Sequence, residues 1–192
     1  MNFKISKRVF YSALNTVSRA ISSNSPLPAL SGIKIEVNQD SIVLTGSDSD
    51  ISIQTTLKGS DEEINLIVKE TGSIVIEAKY ILEIVRKIDA DEIELEIVDG
   101  SLTKISGMSA EFRINGMRAL DYPAIDFTRP GQQFEMDADV LLKVISQTTF
   151  ATSDRETRPV LTGVNMKCSG KRLECVATDS YRLARKIVDL TS

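Results

Sequence analysis

The sequence predicts an α+β protein: duplicated β-α-β-β-β units, with helices on one face of antiparallel sheets. Three observations predict it. Residues 1–61 match residues 132–192 without gaps at a constant offset of 131. Two stretches carry apolar residues at three- and four-residue spacing, the period of a helix. Around them, short alternating segments separated by turn residues read as strands and hairpins.

The repeat is weak by identity, with nine matching positions of 61, and stronger by pattern. Phe3 meets Phe134, Val9 meets Val140 and Ala20 meets Ala151. Pro28, Leu30 and Gly32 meet Pro159, Leu161 and Gly163, and Ser47-Asp48-Ser49 meets Thr178-Asp179-Ser180. Between the identities, Ile5/Met136, Phe10/Leu141, Leu14/Ile145 and Ile33/Val164 stay apolar in both copies. An offset of this size is that of a whole domain, far above a solenoid repeat. We therefore expect a complete first domain at 1–125, a linker at 126–131 within the Pro- and Gly-containing stretch Leu120–Gly131, and a second domain from 132 that is incomplete at Ser192.

The elements follow in order. Phe3–Ile5 is a short strand. Lys7–Ile21 is a helix with Val9, Phe10, Ala13, Leu14, Val17 and Ile21 inward and Ser6 as N-cap. Pro26 and Pro28 close this section. Ile33–Val37 and Ile42–Thr45 form a hairpin around Asn38–Ser41, and Ile51–Leu57 and Ile64–Val68 extend the sheet. The order then recurs: a strand at Ser73–Glu77, a helix at Lys79–Ile88 with Tyr80, Ile81, Ile84, Val85 and Ile88 inward, a hairpin around Asp99-Gly100, and a strand at Glu111–Asn115. The second copy repeats strand, helix (Asp139–Thr149) and hairpin (Val160–Cys168, Leu173–Thr178).

Composition narrows function. The formal charge of -4 argues against tight static binding to phosphates, so any DNA contact needs a locally basic face. Such a face exists: residues 1–35 contain Lys4, Lys7, Arg8, Arg19 and Lys34 and no acid. On the first helix Arg8, Ser12, Asn15 and Arg19 make a polar stripe opposite the apolar one; on the second, Lys79 and Arg86 share the outer face with Glu83. Taken alone, these are ordinary solvated helix faces. The chain has no histidine, no GxxxxGK[ST] loop and no GxGxxG, so His-based catalysis and nucleotide binding by those motifs are excluded. Asp48 and Asp179, each flanked by hydroxyl residues, are the one tempting carboxylate pair, and a duplicated Asp after a strand reads more simply as an Asx turn. Cys168 and Cys175 are read as reduced, partly buried thiols, since zinc sites need about four ligands. No cofactor or metal is expected. Without a signal peptide or a run of roughly 20 apolar residues, a cytoplasmic protein with no membrane contact is expected.

Several motifs in order along the chain resemble one family. They are Pro26-Leu27-Pro28-Ala29-Leu30-Ser31-Gly32, Leu44-Thr45-Gly46-Ser47-Asp48, Met117-Arg118-Ala119-Leu120-Asp121-Tyr122-Pro123, Arg158-Pro159-Val160-Leu161-Thr162-Gly163 and Val176-Ala177-Thr178-Asp179-Ser180-Tyr181-Arg182-Leu183-Ala184. Together they are similar to the beta subunits of bacterial DNA polymerase III, the replicative sliding clamps. The resemblance implies the DNA-clamp fold and a processivity factor without chemistry. Three domains per subunit, two subunits per ring, helices lining the hole: this architecture would place double-stranded DNA, contacted without regard to sequence, against Arg8, Arg19, Lys79, Arg86 and Arg155. Asn24 stands in the same DNA-facing set, where some members carry an arginine. The resemblance also implies a cleft that takes short apolar motifs of the polymerase III alpha subunit and clamp-loader subunits. Arg158, Thr178, Ser180, Tyr181, Arg182 and Leu183 would line one side of it. Tyr181 replaces the histidine common at its position, keeping an aromatic wall and losing a group that titrates near neutrality. The rival reading is a protein-interaction module without a DNA role.

Overall fold

The computed structural model describes residues 1–22, 27–128, 131, 134–155 and 157–190. Asn24 and Pro26 lie outside the described residues. The chain divides into two compact units, Met1–Asp126 and Phe127–Ser192.

In the first unit the order is β1 (Asn2–Ser6), α1 (Lys7–Ser18), β2 (Gly32–Val37), β3 (Ser41–Ser47), β4 (Ser52–Lys58), β5 (Ile67–Glu70), β6 (Gly72–Glu77), α2 (Ala78–Lys87), β7 (Glu92–Asp99), β8 (Leu102–Gly107) and β9 (Ala110–Asn115). These strands form two antiparallel sheets rather than one, with orders β5-β1-β7-β8-β9 and β4-β3-β2-β6. Each β-α-β-β-β half lends its first strand to the other half's sheet. β1 pairs with β7 of the second half, and β6 pairs with β2 of the first. The exchange welds the halves into one core.

That core is built from the alternation in the strands and the stripes on the helices. Phe3 and Ile5 of β1, Ile93 and Leu95 of β7, and Ile33 and Ile35 of β2 point inward with essentially no exposure. From α1 come Phe10, Leu14 and Val17, and from α2 Ile81 and Val85, at the spacing that puts them on one face. The opposite face of β7 carries Glu92, Glu94 and Glu96, which pair with Lys4, Lys69 and Lys104. The two helices pack on one another. Lys7 Nζ donates to the carbonyl of Ile88 at 2.5 Å, so the start of α1 sits at the end of α2, where its charge meets the negative pole of the helix.

Several expectations are corrected. The Ser6 side chain makes no capping bond; the strand runs straight into the helix, and the backbone amides of Ser6 and Lys7 are taken by the carbonyls of Ile64 and Asp91. Helix α1 ends at Ser18, after which Ala20 and Ile21 close tighter turns onto Val17 and Ser18. Tyr80 is 48% exposed instead of inward. It precedes Ile81 by one residue, about 100° around the helix, and the Lys79 ammonium lies 5.7 Å from its ring centre. The strand expected from Ile64 begins at Ile67, because Asp61–Ile64 forms a turn and Asn65 has φ +49. A bulge near Val98 moves the β7–β8 turn by one residue, so Asp99 pairs with Leu102 and Gly100 sits at φ +54. Gly46 permits the close approach of helix and sheet: a Cβ there would come within 2.3 Å of the Val17 carbonyl oxygen.

The segment after β9 folds back on the unit. Residues Ala119–Asp121 form a 3-10 turn, and Tyr122 is buried with Ala29, Leu30 and Val75. Its hydroxyl reaches the Thr45 carbonyl at 3.4 Å, and burial pushes the phenol up to about 12.

The second unit contains α3 (Ala138–Thr148) and one antiparallel sheet of order β10-β11-β12, with β10 at Asn165–Ser169, β11 at Arg172–Thr178 and β12 at Leu183–Asp189. Asp137 caps α3, accepting from the amide of Asp139 at 2.9 Å. The hairpin's first strand starts at Asn165, not Val160, because Pro159–Leu161 forms a 3-10 turn, as Pro28–Ser31 does in the first unit. The strand expected around Phe134 is not formed among the described residues; in the first unit the matching strand β1 is held between β5 and β7. Cys175 is buried, whereas Cys168 is exposed rather than partly buried.

Candidate DNA-facing and peptide-binding surfaces

The polar stripe on α1 is real. Arg8, Ser12, Asn15 and Arg19 are all exposed while Phe10, Ala13, Leu14 and Val17 are buried. Lys79 and Arg86 are exposed on α2. Two of these cations already have acidic partners: Arg8 meets Glu63 at 3.0 Å, and Arg86 meets Glu83 at 2.7 Å. Exposed pairs of this kind contribute on the order of 0–1 kcal/mol, so a phosphate can displace the carboxylate at little cost. The stripe is a row of exposed polar side chains along one helix face.

The second unit holds a cleft of 510 Å³ lined by residues 152–155 together with Thr157, Arg158, Leu161 and Asp179–Arg182. One wall starts at Arg158, immediately before the 3-10 turn, and is tied down by the Ser153 amide on the Leu161 carbonyl at 2.8 Å. The other wall is the loop between β11 and β12. Asp179 organises it: Oδ1 accepts from the amides of Tyr181 and Arg182, both at 2.9 Å, and Oδ2 accepts from Arg182 Nε at 3.0 Å. Thr178 closes the loop, its hydroxyl donating to the Arg182 carbonyl at 2.7 Å and accepting from the Ser180 amide. Ser180 takes φ +78. This leaves Tyr181 97% exposed and Leu183 64% exposed.

The structure therefore brings Arg158, Ser180, Tyr181 and Arg182 into one cleft. Thr178 and Leu183 face each other across the β11–β12 ladder beside it. Arg155 lines the cleft as well. Leu161 supplies an apolar wall that the sequence analysis did not single out, although its counterpart in the repeat, Leu30, is a core residue at 1% exposure.

The repeat separates scaffold from chemistry. In the first unit Asp48 Oδ1 accepts from the amides of Asp50 and Ile51 at 3.0 and 2.8 Å, and Ser49 takes φ +84. The duplicated aspartates are thus Asx turns of one geometry, each bonding its own backbone. The side chains around them differ: where the second unit has Arg158, Tyr181 and Arg182, the first has Leu27, Asp50 and Ile51. Backbone amides are the leading cause that holds both carboxyls below the ordinary aspartate range, with those of Ile51 and Asp50 acting on Asp48 and those of Arg182 and Tyr181 on Asp179. A depressed carboxyl stabilises the fold above its unfolded value and loses that contribution as pH falls through the folded one. Both loops are accordingly expected to hold at neutral pH and to loosen only in strong acid. Carbon-13 titration of the two carboxyls should give midpoints below that of a free aspartate, and midpoints at or above it would contradict the assigned bonds.

Among the described residues no cluster of three or more His, Cys, Asp or Glu could hold a metal, and no helix is long and apolar enough to cross a membrane. Residues 1–126 match the family model of the DNA polymerase III beta subunit, N-terminal domain, and residues 135–192 match that of its central domain. The chain belongs to the DNA polymerase III beta-subunit family. Its likeness to other members covers both units. It is 43% identical over 190 residues to the beta sliding clamp of Halalkalibacterium halodurans, covering 98% of this chain and 50% of that protein. Against the beta sliding clamp of Bacillus subtilis the identity is 41% over 186 residues, covering 96% and 49%. The crystal structure of the Bacillus subtilis DNA polymerase sliding clamp superposes with a TM-score of 0.96 at 40% identity, covering all of this chain and 51% of that one. The DNA polymerase III beta chain of Streptococcus pneumoniae gives the same TM-score at 34% identity and the same coverage. The chain spans about half the length of the curated relatives it matches. The α+β clamp fold expected from the sequence is the one observed.

Proposed function

We propose that this chain serves as part of a DNA sliding clamp, a processivity factor that encircles double-stranded DNA in a dimeric ring in the cytoplasm and tethers its partners without chemistry. The observation that carries the reading is the ordered match of both units to the N-terminal and central domains of one clamp family. The surfaces fit this role. A ring stays on DNA by topology, so Arg8, Arg19, Lys79 and Arg86 need only weak, sequence-blind contacts, and weak contacts permit sliding. An overall charge of -4 is then no obstacle. Arg155 and the position of Asn24 belong to the same proposed DNA-facing set.

Arg158, Thr178, Ser180, Tyr181, Arg182 and Leu183, with Leu161, form the proposed docking side for an apolar peptide of the polymerase III alpha subunit or a clamp-loader subunit. Arginine and tyrosine are residue types that anchor binding hot spots, and leucine can floor an apolar cleft.

The test uses a chain of the relatives' full length that contains this sequence. Loaded on closed circular DNA, it should be retained through a high-salt wash and released once that DNA is cut. Equal loss from both forms would leave the interaction-module reading in its place.

A further inference from the structure

Phe150 lies just before the cleft, in the 3-10 turn Thr149–Ala151 that follows α3. Phe150 is 57% exposed, although Ala151 beside it is fully buried. The Arg182 guanidinium carbon sits 5.8 Å from the ring centre, within the range of a cation–π contact. Asp179 also holds the same guanidinium, accepting from Nε at 3.0 Å. Among the described residues, the two terminal nitrogens of Arg182 have no hydrogen-bond partner. The arginine is thus gripped by an acid and a ring while it lines the cleft, which leaves its two terminal nitrogens for an incoming acceptor. In the first unit the offset equivalents of this pair are Arg19 and Ile51, so the arrangement is specific to the second copy.

We infer that Phe150 is a positioning residue for peptide binding: it orients Arg182 so that both terminal nitrogens present to a carbonyl or carboxylate of the bound segment. This rests on the reading of the cleft as a peptide site. A long cation held on one face and one edge loses less rotamer freedom when the ligand arrives, which lowers the cost of binding. The ring need not touch the peptide itself.

The test measures affinity of the full-length chain for a synthetic peptide matching the C-terminal tail of a polymerase III alpha subunit. Phe150→Ala should weaken binding about 3-fold, the size of a half-exposed cation–π contact. Phe150→Leu, which keeps apolar bulk but lacks the ring quadrupole, should weaken it as much, while Phe150→Tyr restores it. In an Arg182→Ala background, Phe150→Ala should add nothing. The Arg182 side-chain proton resonances, shifted upfield by the ring, should move downfield in Phe150→Leu. Wild-type affinity in Phe150→Leu, or an undiminished loss in the Arg182→Ala background, overturns the inference and leaves the cleft standing. If Arg182→Ala itself leaves affinity unchanged, the inference falls, and the cleft reading falls with it only if Leu183→Ala also binds as wild type.

Discussion

Phe10→Ala is expected to lower the stability of the first unit by about 3–5 kcal/mol, the usual cost of deleting a fully buried aromatic ring. Phe10 has no exposure, and it meets the ring of Phe3 edge-on, with centres 5.7 Å apart and planes at 67°. It joins α1 to β1, the strand that crosses to the other half's sheet, so the loss falls on the contact that holds the halves together. Against a typical total of about 5–15 kcal/mol, the variant should sit near the edge of folding. Urea denaturation followed by circular dichroism reads it as a lower midpoint with an unchanged slope. Met108→Ala, at an 88% exposed position, should stay within about 0.5 kcal/mol of wild type. A loss at Phe10 no larger than that at Met108 would contradict the core described above.

Arg182→Ala should weaken polymerase-tail peptide binding by about 30-fold, the scale of a central hot-spot residue. The cation lines the cleft and is held there by Asp179 at 3.0 Å. Leu183→Ala should lose affinity in the same direction through lost apolar contact. Lys171→Ala, on the exposed turn between β10 and β11, should bind as wild type. Titration calorimetry on the full-length chain distinguishes these, and unchanged affinity for both Arg182→Ala and Leu183→Ala rejects the assignment of this cleft to peptide binding.

Much of the fold was legible because it is local. The three- and four-residue spacing of Phe10, Ala13, Leu14 and Val17 specified α1 and its buried face. Alternation located the hairpins, and the offset repeat anticipated that Asp48 and Asp179 would do the same structural work. Single positions were less legible. Ser6 looks like a cap by residue type, yet the backbone carbonyls that satisfy the helix start come from Ile64 and Asp91, distant in sequence. Tyr80 looks apolar, but its side chain lies beside the stripe rather than on it. The cleft also takes in Leu161 and Asp179, and their part in it depends on where two separate turns come to rest.

The sequence by itself determined the element order of the first unit, the polar and apolar faces of the helices and the duplicated turn, since each follows from short-range spacing and residue chemistry. The tertiary structure decided what spacing cannot encode: that β1 and β6 change places between the halves, and that the Arg182 guanidinium, far along the chain from Phe150, comes to lie against its ring. Those outcomes depend on which distant surfaces bury together, and only the packed chain chooses among partners of equal local merit.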